Sequence, residues 1–297
     1  MSVVIPNYNR ANDLRRCLDS LVAQTLKNFE VLVCDDGSTD NSVEVASSFA
    51  DRLDLKFDTA ENFGGPARPR NRGIALAKAP FVAFLDSDDW WGVDKLSNSL
   101  AALEAGADVV YHDLYIVRTS DQKIFTNRIR STPPRIPMFQ SLLCTGISIP
   151  NSSVVVRKEL LQRISGVCED KALISVEDYD TWLRLSYYTE RFVRLKNCDG
   201  YYWVGDGNIS AASPVQQTRI KTLYERHLPA LEPEIRRRAE GFLSYRVARI
   251  AQQHGDFATA LSGLQQVLKH PIGLKYRLKA MFFIVQVLWF RIRTICL

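Results

Sequence analysis

Four short apolar runs fall within the first 90 or so residues, and each leads through polar residues to the next element, which leaves this chain few folds to choose from. The runs are Val3 to Ile5, Val31 to Cys34, Leu55 to Phe57 and Phe81 to Leu85. Between the first two, Leu14, Cys17, Leu18, Leu21 and Val22 recur at helical spacing, so a helix opening at Asp13 buries one face. Strands alternating with helices predict an α/β fold, a mostly parallel sheet with helices on both faces. Pro6 ends the first strand, and Ser38, Thr39 or Asp40 can cap the helix after the second. No G-x-G-x-x-G follows the first strand, which disfavours a dinucleotide fold.

The fourth run is the most informative, because FVAFL continues directly into Asp86, Ser87, Asp88 and Asp89, then Trp90 and Trp91. A continuous apolar run of this length reads as a strand buried on both faces, and ligands of open α/β sheets bind at the carboxyl ends of strands. On extended backbone, Asp86 and Asp88 share a side while Asp89 points elsewhere. Two such carboxylates suit Mg2+ or Mn2+, which keep waters and bind substrate phosphates. The competing reading is that Ser87 to Asp89 cap a helix running through Val93, Leu96 and Leu100.

Beyond this point the pattern weakens. Residues 107–117 are strand-like, and residues 118–150 hold four of the twelve prolines and read as an irregular excursion. A strand over 153–156, a helix over 158–164 and a helix over 176–188 follow, the last with Glu177, Asp178 and Asp180 in its first turn. Composition shifts near Pro214, so residues 1–213 are expected to form one domain and residues 214–297 a helical appendage. Residues 251–271, with Gly255-Asp256 as a turn, resemble a single tetratricopeptide-type helix pair.

Charge follows the same division. The chain carries a net +5, yet residues 214–297 hold 14 Lys plus Arg against 5 Asp plus Glu. The basic excess sits on a helical tail with an apolar face, which argues against nucleic acid as partner. The segment from Met281 to Phe290 is nearly all apolar but too short to span a bilayer. Two readings stand for it: an interfacial helix with Lys275, Arg277, Lys279, Arg291 and Arg293 at anionic headgroups, or a helix packed on the domain. Six scattered cysteines form no CxxC pair, and four histidines (112, 227, 254 and 270) have no metal spacing. With no basic n-region or cleavage site at the start, the chain is expected to be reduced and cytoplasmic, peripheral to the inner membrane face if the tail binds lipid.

Taken together, VVIPNYNR (3–10), VLVCDDGSTD (31–40), GGPARPRNRGI (64–74), FLDSDD (84–89) and VEDYDTWLRL (176–185) resemble the family 2 glycosyltransferases of GT-A fold, inverting enzymes that build bacterial surface polysaccharides. The resemblance spans roughly residues 3–210 and implies a nucleotide-sugar donor, UDP-linked, and a saccharide or lipid-linked acceptor. It implies that Pro6, Tyr8, Asn9, Asp36, Arg70, Asp86 and Ser87 form the nucleotide site, with Tyr8 stacked on the base and Asp36 accepting its N–H. It further implies that Asp86 and Asp88 hold Mn2+ or Mg2+, that Asp178 is the general base with Glu177 in support, and that Trp90 and Trp91 stack on the acceptor sugar. The bland readings stay open beside these: a core aromatic for Tyr8, a turn residue for Asp36, capping for Glu177 and Asp178, core packing for the tryptophans. One departure is visible, since the family's Tyr-Arg-x-His stretch reads Tyr202-Trp203-Val204-Gly205 here, with Asp206 and Asn208 following. A third protein ligand to the metal is thereby in doubt, with Asp206 as a substitute or waters alone. Two rivals compete with transfer: a non-catalytic nucleotide-sugar-binding scaffold with a partner-binding tail, and a nucleotidyltransferase. The first is opposed by the intact carboxylates at 36, 86, 88 and 178, and the second by a first turn, IPNYNR, that is not glycine-rich.

Overall fold

The structure is a computed structural model that describes residues 1–205 and 211–295, with side chains through Leu288. In chain order its elements begin with β1 (Ser2–Asn7), α1 (Ala11–Val22), β2 (Glu30–Asp35), α2 (Ser42–Ser47), β3 (Asp54–Thr59), α3 (Ala67–Leu76) and β4 (Phe81–Phe84). There follow β5 (Trp90–Trp91), α4 (Lys95–Glu104), β6 (Val109–Tyr111), β7 (Leu114–Val117), β8 (Arg128–Ile129) and α5 (Met138–Thr145). Next come β9 (Val155–Arg157), α6 (Lys158–Arg163), α7 (Glu177–Leu185), β10 (Phe192–Arg194) and β11 (Gly200–Trp203). Four helices complete the chain: α8 (Pro214–His227), α9 (Pro233–Gln253), α10 (Phe257–Lys269) and α11 (Leu274–Ile295).

Seven strands form the main sheet in the order β10-β6-β9-β4-β1-β2-β3. From β4 to β3 every pairing is parallel, whereas β9 runs antiparallel to both β4 and β6. Because β1, β2 and β4 are parallel, their carboxyl ends reach one edge, which is how Tyr8, Asp36 and Asp86 come to share it. The order reverses between β1 and β4, the switch point at which α/β sheets open a crevice. Pro6 lies inside β1 and does not terminate it. The ladder to β4 ends at Val4, so the missing N–H of Pro6 falls just beyond that pairing.

Alternation along the strands places helices on both faces. Val3 and Ile5 cluster with Leu14, Leu18 and Leu21 of α1, while the next residue inward, Val4, lies with Cys34 beneath α3. That second contact requires Gly73, since a methyl there would sit 2.3 Å from Val4 Cγ1 and 3.2 Å from Cys34 Sγ. A smaller sheet, β5-β11-β7-β8, lies beside the acidic loop. The strand-like run over 107–117 therefore divides between two sheets. The break comes at His112-Asp113, where buried Asp113 turns its carboxylate to Ser131 N–H and to Arg194.

The chain separates into two compact units: Met1–Pro134 with Ile147–Lys171 and Glu177–Asn208, and Arg135–Gly146 with Ala172–Val176 and Ile209–Leu297. Helix α8 begins at Pro214, capped by the Ser213 hydroxyl, which accepts from Gln216 N–H. The second unit also takes in α5, tied to α8 where the buried Tyr224 hydroxyl donates to Leu143 O at 3.0 Å. α9 and α10 form the helix pair read from residues 251–271, turning at Gly255 (φ +90°) with Asp256 capping α10 through Thr259 N–H. Among the described residues no helix is long and apolar enough to cross a membrane.

Gly73→Ala tests the α3 contact. Overpacking of this kind costs about 1–3 kcal/mol, so the variant should melt several degrees lower in a calorimetric scan, and an unchanged Tm would contradict the close approach described.

Candidate active site

The carboxyl edge is organised first by Asp35, the last residue of β2. Its carboxylate accepts from Asn7 Nδ2 (2.9 Å), Gly37 N (3.1 Å), Ser38 N (2.8 Å) and Thr59 Oγ1 (3.2 Å), joining the ends of β1, β2 and β3. Gly37 makes the turn possible, since it sits at φ +78° with Ala60 O and Asn62 N each 3.1 Å from where a Cβ would be. Asn9 adopts the left-handed region (φ +49°), and its Oδ1 accepts from Thr39 N at 2.7 Å. Between these anchors Tyr8 is left 49% exposed at the end of β1, with an aromatic surface open to a ligand. Asp40 ties two helix starts together, accepting from Ala11 N at 2.8 Å and Ser42 N at 3.1 Å.

Asp36 is buried, and its two oxygens accept from Phe63 N (3.0 Å) and Gly64 N (3.1 Å). It is therefore more than a turn residue, because it pins the glycine-rich loop to the sheet. Each oxygen keeps a second lone-pair direction, so the group can still accept from a donor such as an imide N–H.

Helix α3, started by that loop, delivers Arg70 to the centre of the site. The guanidinium is 4% exposed and donates to Asp86 Oδ1 at 2.7 Å and to Glu177 Oε1 at 2.6 Å. Burial opposes its charge, but Asp86 and Glu177 outweigh burial and hold Arg70 firmly protonated. Arg70 Nε and Glu177 Oε2 remain buried without a hydrogen-bond partner. The end of β4 and the start of α7 are thus joined by one cation carried on α3. Glu177 is committed to this pair and caps nothing.

Asp86 is held from a third side by residues the sequence did not single out: Asn151 Nδ2 donates to Asp86 Oδ1 (3.1 Å), and Asp86 N donates to Ser152 Oγ (3.1 Å). Ser87 is buried beside it. Asp88 is half-buried, and burial, then the nearby charge of Asp86, pushes its carboxyl up to about 6, with Arg10 acting against them. Asp89 faces away, as alternation predicts, and accepts from Trp203 N at 2.9 Å. The capping alternative for this stretch does not hold, since α4 starts at Lys95 after Asp94 and no side chain caps it.

Asp178, beside Glu177 at the start of α7, is half-buried and accepts from its neighbour Tyr179 N at 2.6 Å. Burial first, and then the charge of Glu177, pushes its carboxyl up to about 7, while Arg70 works in the opposite direction. A carboxyl poised there can take up a proton near neutral pH.

The tryptophans separate. Trp91 is 3% exposed, its Nε1 donates to Ser152 O at 2.6 Å, and Lys95 Nζ lies 3.8 Å from its ring centre. It belongs to the core, and stacking on an acceptor sugar is withdrawn for it. Trp90 stacks on Tyr201 (5.1 Å, 13°) and also packs against Arg16 at 4.3 Å. Arg16, on α1, donates to Asp88 O at 2.7 Å and also lies 4.7 Å from the Trp203 ring. It fastens the acidic loop to the end of β11 by cation–π contact. An arginine 72 residues before Asp88 gives no sequence signal of that reach.

For a divalent cation the fit is to a sparse site. Among the described residues no three His, Cys, Asp or Glu side chains converge on one point, Gly205 offers no ligand, and Asp206 and Asn208 lie outside the described residues. One or two carboxylates, with Asp88 crowded by like charge, are nonetheless what a Mg2+ or Mn2+ ion completed by waters and a diphosphate requires.

Comparison with known proteins places this edge in context. Residues 2–165 match the family model described as glycosyl transferase family 2. The Escherichia coli UDP-Glc:alpha-D-GlcNAc-diphosphoundecaprenol beta-1,3-glucosyltransferase WfaP is 29% identical over 216 residues, covering 71% of this chain and 80% of that protein. Among solved structures, Staphylococcus aureus TarS 1-349 in complex with UDP-GlcNAc superimposes with TM-score 0.66 at 20% identity, over 91% of this chain and 81% of that one. The mannosyltransferase PcManGT from Pyrobaculum calidifontis, in complex with GDP-Man and Mn2+, gives 0.62 at 19% identity over 99% and 81%. The structural likenesses bear on the fold, a GT-A type sheet, and the family model covers more than half of the sequence. With that match over more than half of its length, the chain belongs to glycosyl transferase family 2.

Proposed function

We propose that the enzyme transfers a sugar, with inversion, from a UDP-linked donor to a hydroxyl of a saccharide or lipid-linked acceptor in cell-surface polysaccharide synthesis. The observation that carries this reading is the joining of Asp86 and Glu177 through Arg70, with Asp178 next to it at the mouth of α7. WfaP, named for a UDP-glucose donor and a diphosphoundecaprenol acceptor, supports the donor and acceptor classes. UDP-GlcNAc in the TarS structure supports the donor further.

In this reading Tyr8 stacks on the uracil and Asp36 accepts its N–H, while Pro6 and Asn9 shape the wall that sets Tyr8. Asp86 and Ser87 approach the ribose. Arg70 holds Asp86 in place and brings a fixed positive charge near the diphosphate. Asp88 and Asp86 would hold Mn2+ or Mg2+, which when bound offsets the negative charge on the diphosphate. Asp178 removes the proton of the acceptor hydroxyl. The acceptor oxygen forms its bond to the anomeric carbon on the face opposite the leaving group, and the carbon–oxygen bond to the diphosphate breaks, releasing the nucleoside diphosphate. Glu177, held by Arg70, keeps α7 in register for that approach. Trp90, already packed on Tyr201, lines the acceptor side.

The general base must be ionised to act, so UDP release should rise with pH through an inflection of about 7 and level off above it. Asp178→Asn should lose about 10²- to 10⁴-fold in turnover and retain nucleotide affinity. Wild-type turnover in that variant would remove Asp178 from the mechanism. For the metal, calorimetry of UDP binding with and without Mn2+ separates the roles: wild-type affinity should depend on the ion, and that of Asp88→Ala should not. Metal-dependent binding that survives in Asp88→Ala would place the ion elsewhere.

A further inference from the structure

Fifteen large apolar side chains are exposed among the described residues, and six of them lie on one helix, α11: Leu274, Leu278, Met281, Phe282, Val285 and Leu288. They are between 42% and 70% exposed. At the 3.6-residue period of a helix they fall in one sector about 120° wide. The opposite side of α11 is already used. Ala280 and Val287 are buried there, Tyr276 packs edge-on against Phe242 at 5.0 Å and donates to Thr145 O, and Arg249 covers Phe283 at 3.5 Å. The helix is therefore fixed to its own unit by one face and bares an apolar stripe on the other. Such a stripe is too contiguous to be ordinary surface.

Its occupant is selected by charge. Leu274, Leu278, Met281, Val285 and Leu288 follow the four-three spacing of a coiled-coil seam, so a second copy is the first candidate. Yet from Leu274 to Leu297 the sequence holds five Lys or Arg and no Asp or Glu. Lys275 and Arg277 are exposed on opposite flanks of the stripe, with Lys279 beside Lys275. Two copies paired in parallel along it would set the Lys275 flank of one against the Arg277 flank of the other. An anionic lipid surface meets both requirements, since acyl chains accept the apolar sector and headgroups accept the flanking charges. The long stems of Lys275, Arg277 and Lys279 let their ammonium and guanidinium groups rise to that level.

We propose that α11 lies in the plane of an anionic membrane, its Leu274-to-Leu288 stripe in the acyl boundary and its flanking cations among the headgroups. The proposal is independent of the glycosyl-transfer reading, because the experiment contains no substrate. The full chain is floated with phosphatidylcholine vesicles or with vesicles that also contain phosphatidylglycerol. Wild type should float with the anionic vesicles and far less with the neutral ones. Phe282→Glu/Val285→Glu should cut the bound fraction about tenfold or more by placing charge in the acyl layer. Lys275→Gln/Arg277→Gln/Lys279→Gln should weaken partition on the order of a hundredfold. All five substituted side chains are exposed, and an unchanged melting curve for each variant separates lost binding from lost fold. Wild type that stays with the pellet, or variants that float as wild type does, would overturn the proposal. So would a dimer in sedimentation that Phe282→Glu/Val285→Glu disperses while no flotation is seen, which would give the face to a second copy.

Discussion

One buried guanidinium holds this candidate site together. Arg70 takes Asp86 on one arm and Glu177 on the other, and so ties the end of β4 to the start of α7, 91 residues further along the sequence. A cation buried this deeply is favourable only because both arms are met by carboxylates, and removing one partner of such a pair costs about 3–5 kcal/mol. Arginine is required for this, since its fork serves two acceptors at fixed angles where a lysine offers a point charge. The catalytic proposals inherit that rigidity: Asp88 lies two residues from one end of the bridge and Asp178 is next to the other.

Negative charge is concentrated around this cation beyond what it can neutralise. Asp86, Asp88 and Asp89 crowd the loop after β4, and Glu177 and Asp178 crowd the start of α7. Asp88 is pushed up to about 6 and Asp178 to about 7, in each case first by burial and then by the adjacent carboxylate. The two excesses suit different chemistry. In the proposed mechanism a divalent ion would supply the missing positive charge at Asp88, and the proton of the acceptor hydroxyl would supply it at Asp178. Arg16 and Asn151 matter because they also hold the crowded loop in shape, Arg16 through Asp88 O and Asn151 through Asp86 Oδ1, the oxygen that Arg70 takes as well.

The sheet and its edge could be read from the sequence wherever the pattern was local. Continuous apolar runs marked β1, β2 and β4, and the carboxylates that end them were legible because strand ends are where such residues accumulate. Partners distant in sequence were not legible. Nothing in RCLDSL indicates that Arg16 reaches over Trp90 and Trp203, and Asn151-Ser152 lies in a proline-rich stretch without period. Trp91 shows the limit of residue type as a guide: an aromatic pair after a strand looks alike at both positions, but the pleat turns one ring inward to Ser152 O and leaves the other half-buried. The run over 107–117 likewise reads as one strand until the Asp113–Arg194 pair, made from residues 81 positions apart, shows why the chain turns away there. Helix α5 packs with the C-terminal helices for reasons that lie in Tyr224 and Phe242 and not in its own sequence.

The central claim is that Arg70 sets the geometry and ionisation of the carboxylates around it, and it is tested most directly by the pH–rate profile of Arg70→Lys with a UDP-sugar donor. Lysine keeps the charge but cannot reach both acceptors with the same fork, so Glu177 loses part of its compensation and its field raises Asp178 further. A folded enzyme with reduced turnover is expected, its activity inflection above the inflection of about 7 expected for the wild type. Wild-type turnover with an unmoved inflection would contradict it.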